Sequence, residues 1–132
     1  MSGVTFDAGA LVALDRNERE AWVALKSYLR GGDVPTIPTV ATAQAWRNGA
    51  RQARLSQAMK LCRQESLTED LAREAGELCG RTGKSDVVDA VIIVSAARRY
   101  DVIVTSDRRD LDHLAGHVVA GSVTVVSVRG AR

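Results

Sequence analysis

Five aspartates stand where chain geometry would let them act together: Asp7, Asp86, Asp89, Asp107 and Asp110. Asp7 directly follows the β-type run Val4-Thr5-Phe6, and Asp107 lies two residues beyond the apolar run Val102–Thr105. In a parallel α/β sheet, residues that follow strands gather at the carboxyl edge, where such folds place their sites. Asp86 and Asp89, spaced i and i+3, share a face of the segment leading into the second run, and Asp110 repeats that spacing after Asp107. Clustered carboxylates repel: two unit charges ~5 Å apart at an effective dielectric of ~20 cost about 3 kcal/mol. Three would raise one another's pKa unless a cation neutralised them. A donor set of oxygens, without Cys or His, suits Mg2+ or Mn2+ rather than zinc. An ion held there would acidify a bound water and steady a phosphodiester. Capping competes with this reading, because Asp at a helix N-terminus satisfies free N–H groups. It accounts for Asp86 and Asp110. Asp7, immediately after a strand, and Asp89, in an otherwise apolar helix where an unpaired charge is expensive, are read with Asp107 as functional.

The elements that must position these groups follow from the apolar spacing. Val4–Phe6 is a strand, and Ala8–Leu14 is a helical turn of small residues. Glu18–Arg30 carries Ala21, Leu25, Tyr28 and Leu29 at helical spacing and stops at Gly31-Gly32. Val34–Ile37, fenced by Pro35 and Pro38, is extended and at best an edge or strand end. Thr39–Cys62 reads as two helices jointed near Gly49, and Leu67–Gly80 as another with Leu71, Ala75 and Leu78 on one face. The segment Ser85–Arg99 is rich enough in β-branched residues to be a buried strand. Its length, Ser/Asp start and Ala96-Ala97-Arg98-Arg99 ending favour a buried helix. Val102–Thr105 is a strand, a short helix runs from Asp107 to Leu114, and Val123–Val128 is a last strand. Short apolar strands alternating with helices predict one three-layer α/β/α domain over residues 1–132, with a central parallel sheet.

Composition narrows the function classes. The chain has 132 residues, 45% apolar and 26% charged, with a formal charge of +2 that does not by itself imply a nucleic-acid partner. Lysine occurs only at positions 26, 60 and 84, and the other basic residues are arginine, which suits bidentate contact with phosphate or carboxylate. Cys62 and Cys79, both in segments that read as helix, have neither CxxC nor Cys/His spacing, which argues against structural zinc and a disulfide scaffold. No apolar run reaches the ~18–20 residues of a spanning helix, so no membrane partner is expected and the cytoplasm is the expected compartment.

In four places, in order along nearly the whole chain, the sequence resembles the PIN-domain ribonucleases, and among them the VapC-type toxins of bacterial toxin–antitoxin pairs. The matching pieces are Val4-Thr5-Phe6-Asp7-Ala8, Pro38–Arg47, Ser85-Asp86-Val87-Val88-Asp89-Ala90 and Val104–Leu111. The resemblance implies a PIN-like parallel sheet, an endoribonuclease using Mg2+ or Mn2+, structured RNA (tRNA foremost) as substrate, a VapB-type antitoxin and a homodimer. By position, Asp7 and Asp89 would be the main metal ligands, Asp107 would join them, and Thr105 and Ser106 would brace the loop. The second motif usually supplies a glutamate, where this chain has Gln44. Glutamine offers a carbonyl oxygen without charge; Asp86 or Asp110 would then make up the charge, or metal affinity is lower, or the chain is a weakened nuclease.

Arg47, Arg51 and Arg54, at i, i+4 and i+7, would form one helical stripe, which could guide an RNA backbone or be a solvated face. Arg98 and Arg99 are explained by a helix C-terminus. Trp22 and Trp46 are read as anchors of packing or of a partner interface, and His113 and His117, without an evident ligand partner, have no role. Two other functions compete with a metal-dependent ribonuclease toxin: a catalytically weakened module that binds RNA or antitoxin, suggested by Gln44, and a receiver-like phospho-acceptor. The second wants a lysine on a late strand, and there is none.

Overall fold

A computed structural model describes residues 3–83, 86–118 and 121–128. Five strands, β1 (Val4–Phe6), β2 (Thr36–Pro38), β3 (Arg63–Glu65), β4 (Val102–Thr105) and β5 (Thr124–Ser127), form one sheet in the order β3-β2-β1-β4-β5. Every pairing is parallel, with Thr5 opposite both Thr36 and Ile103. The helices are α1 (Ala8–Asp15), α2 (Arg19–Arg30), α3 (Thr39–Ala45), α4 (Ala53–Lys60), α5 (Glu69–Thr82), α6 (Val87–Arg98) and α7 (Arg109–Ala115). Right-handed crossovers put α1–α4 over one face and α5–α7 over the other. Phe6 accordingly meets Tyr28 of α2 edge-on at 6.4 Å, while Thr5, pointing the opposite way, meets Arg99 beyond α6. The three-layer α/β/α expectation holds.

The core is aliphatic. Leu11, Leu14, Leu25, Ile37, Leu55, Leu78, Ile92, Ile93 and Ile103 are all 0% exposed. Helix α6 is buried from Ala90 through Ala97 and lies between α5 and the sheet, so its β-branched residues pack as a core helix despite their strand propensity. Asp86 caps its start, and burial on all sides, rather than propensity, holds it. Ser85 lies outside the described residues.

Several expectations are corrected. The Val34–Ile37 piece is not an edge: β2 is interior, between β1 and β3. Its prolines sit where no ladder donor is needed, Pro35 before the strand and Pro38 at its end, where it also begins α3. The true edge, β3, is Arg63-Gln64-Glu65, polar and exposed enough to give no strand signal. Cys62 lies in the turn before it rather than in a helix, and burial pushes its thiol up to about 12, an unreactive state.

Arg98 and Arg99 do more than meet a helix dipole. Arg98 pairs with Glu74 and Asp70 of α5. Arg99 enters a network that links the start of β4 to the end of β3: its Nε donates to Asp101 at 2.9 Å, Nη2 to Thr5 at 2.8 Å, and Nη1 to Glu65 at 2.5 Å and Ser95 at 3.0 Å. Asp101, whose side chain is 3% exposed, also accepts from Thr5 Oγ1 at 2.7 Å and the Gly3 N–H at 3.0 Å.

Candidate functional site

Parallel strands bring the residues that follow β1 and β4 to one edge. The Asp7 N–H extends the β1–β4 ladder to the Val104 carbonyl at 3.3 Å. Asp7 then ends the strand and caps α1, its Oδ1 accepting from the Ala10 N–H at 2.8 Å. The carboxylate is 6% exposed. Burial pushes its pKa up to about 6, against hydrogen bonds from Thr105 and the Ala10 and Gly9 N–H groups, which pull it down. Repulsion from other carboxylates is not among the causes, which corrects the expectation of mutual elevation.

Thr105 and Ser106 brace this edge. The Thr105 hydroxyl accepts from the Asp107 N–H at 3.2 Å and lies 3.1 Å from the Asp107 carbonyl, pinning the turn after β4. Ser106 lies close against α1: a Cβ on Gly9 would stand 2.5 Å from Ser106 Oγ and 3.4 Å from Asp7 Oδ1.

The other acids are placed less closely. Asp107 turns outward, its carboxylate taking the Arg109 N–H at 3.1 Å and the guanidinium at 3.2 and 2.9 Å, which hold its pKa down to about 2. Asp89 is half-buried in the first turn of α6. Asp86 is its N-cap, accepting from the Asp89 N–H at 3.0 Å, so it is a cap rather than a member of a shared acidic face. The Asp110 side chain lies outside the described residues. Gln44 is exposed on α3 and makes no hydrogen bond among the described residues. Among the described residues, no three His, Cys, Asp or Glu side chains form a group that could hold a metal ion.

The edge nevertheless suits a cation at one position. Asp7 is a desolvated carboxylate without an ion pair among the described residues. Asp107 could reach inward only by leaving Arg109, an exposed pair whose contribution is small.

The arginine stripe is not one helix face. Arg47 follows α3 in a loop, Arg51 ends the 3-10 turn Gly49–Arg51, and Arg54 opens α4. Gln52 shapes this path, accepting from the Arg47 and Asn48 N–H groups at 2.8 and 2.9 Å and donating to the Ala45 carbonyl at 3.1 Å and Asp15 at 3.3 Å. Arg51 and Arg54 meet Asp15 around a cavity of about 430 Å3. A second cavity, about 480 Å3, opens at the amino edge beside Arg63, Arg99 and Asp101, and none of the expected acids lines it. Trp22 is a packing anchor as expected, its indole N–H donating to the Leu14 carbonyl at 3.2 Å.

This sheet order, with Asp7 at its carboxyl edge, is the PIN-like fold. Among the solved structures it resembles are toxin–antitoxin complexes. One is a toxin–antitoxin complex from Klebsiella pneumoniae, 19% identical with a TM-score of 0.73, covering 96% of this chain and 98% of that one. Another is VapBC2 from Rickettsia felis bound to a DNA fragment from their promoter, 12% identical, TM-score 0.69, covering 94% and 97%. A third is DNA-bound VapBC from Salmonella typhimurium, 12% identical, TM-score 0.68, covering 97% and 99%. No protein-family model and no curated protein matches the sequence. At such identities the likeness establishes the fold. Among the described residues, no helix is long and apolar enough to cross a membrane.

Proposed function

We propose that the chain is a metal-dependent endoribonuclease and the toxin of a VapBC-type pair, acting in the cytoplasm on structured RNA, tRNA foremost. The observation that carries this reading is the buried Asp7 carboxylate at the carboxyl edge of a PIN-like sheet, raised to about 6 and lacking an ion pair among the described residues. Asp7, Asp89 and Asp107 are the residues that would hold Mg2+ or Mn2+. When bound, such an ion supplies an activated water and neutralises charge on the phosphodiester. Asp7 is fixed by its own cap, Thr105 and Ser106 hold the turn that carries Asp107, and Arg47, Arg51 and Arg54 offer guanidinium groups to the RNA backbone. The antitoxin-bound state of the structural neighbours supports an antitoxin partner, and a homodimer belongs to the same reading.

A second reading has its own observation. Gln44 is uncharged and exposed, Asp107 is held by Arg109, and no three-acid group forms among the described residues, which favours a weakened module that binds RNA or antitoxin. Incubating the chain with structured RNA in Mg2+ or Mn2+, against EDTA and against Asp7→Ala, separates them. Cleavage that needs the ion and disappears in Asp7→Ala supports the nuclease. Wild-type binding without cleavage assigns the second reading, and cleavage indifferent to both changes overturns the metal role.

A further inference from the structure

The two histidines of the chain sit at the end of the helix that begins beyond Asp107. His113 lies in the last turn of α7, and His117 follows where the helix tightens, its N–H bonding the Leu114 carbonyl at 3.0 Å. The spacing is i, i+4, so both side chains emerge on one face. Both residues are exposed, and their ring centres are 5.2 Å apart with the planes at 45°.

Two features make this pair more than neighbours. His117 Nδ1 lies 3.0 Å from the His113 carbonyl oxygen, which can only accept. The proton therefore resides on Nδ1 and the Nε2 lone pair faces away from the helix, the arrangement by which a main-chain carbonyl orients a ligating imidazole. His113 makes no ring hydrogen bond among the described residues. The separation fits as well: two imidazoles on one tetrahedral ion, at ~2.0–2.1 Å per bond, have ring centres roughly 5 Å apart. The carbonyls that end the helix add negative potential at this spot.

We propose that His113 and His117 form a two-imidazole site for a divalent transition ion of the zinc, copper and nickel class, completed by water. Nitrogen donors select this class over the magnesium and manganese class suited to carboxylates. The site stands apart from the Asp7 edge and does not depend on any nuclease activity.

The test is Cu2+ and Zn2+ titration of the full-length, untagged chain, with Cu2+ bound at one equivalent read by electron paramagnetic resonance. Two nitrogen ligands in the wild type and in Asp7→Asn are expected. Affinity should fall at least roughly tenfold in His113→Ala and in His117→Ala, a loss that even an outer-shell partner of a ligand can cause. Both positions are exposed, and an unchanged metal-free Tm in the variants verifies that they fold. Equal affinity in wild type and both His variants overturns the proposal, as does a wild-type Cu2+ signal with fewer than two nitrogens.

Discussion

A carboxyl group held near 6 is a liability to the fold that carries it. Between pH 4 and 6 the folded chain keeps a proton on Asp7 that the unfolded chain, at its ordinary 3.8, has released. Raising the pH through that window therefore lowers stability, by about 3 kcal/mol once both states are ionised. Asp7→Asn retains an acceptor for the Ala10 N–H and removes the charge. In EDTA it should unfold at higher urea than wild type at pH 7.5, with the gap closing toward pH 4. A gap that persists unchanged at pH 4 would refute burial as its origin. Asp7 was legible in the sequence because it directly follows a strand. The turning of Asp107 toward Arg109 was not, because two residues separated by one position in a turn can face together or apart depending on backbone angles that composition leaves open. The capping reading of Asp86 was legible and correct.

At the scale of elements, the apolar signal found what was apolar. Strands β1 and β4 and the buried α6 follow from their Val, Ile and Ala content, whereas β3 is Arg-Gln-Glu and joins the sheet only because β2 offers its free edge. The arginine stripe failed for a related reason: residue spacing assumes a continuous helix, and a side-chain amide interrupts it. One loop position shows how tightly the layers close. Gly121 has φ +83°, and a Cβ there would stand 2.0 Å from the Ala97 carbonyl at the end of α6. Gly121→Ala should cost about 2–3 kcal/mol in chemical denaturation, from left-handed strain plus overlap. Gly80→Ala, in α5 with nothing near the added methyl, should be neutral or stabilise by roughly 0.5–1 kcal/mol. Equal effects at the two positions would contradict this packing.

Across the molecule, two parts of the sheet carry different burdens. The carboxyl edge holds Asp7 at a cost, while the guanidinium of Arg99 ties Asp101, just before β4, to Thr5, Ser95 and Glu65. Arg99→Met would strand the Asp101 charge, and unfolding should become easier by about 2–4 kcal/mol. The same substitution should leave the pKa of Asp7 in place, readable by carboxyl NMR, because none of the groups Arg99 binds is among the causes of its shift. Movement of that pKa would show the two parts to be coupled. The loop between α3 and α4 has a consequence of its own. Its backbone at Arg47 and Asn48 is tied to a single amide, that of Gln52, which is 7% exposed and also holds the Ala45 carbonyl and Asp15. The backbone that carries Arg47 is thereby set before any polyanion arrives. A ligand laid across it would find main chain with little ordering left to do on contact.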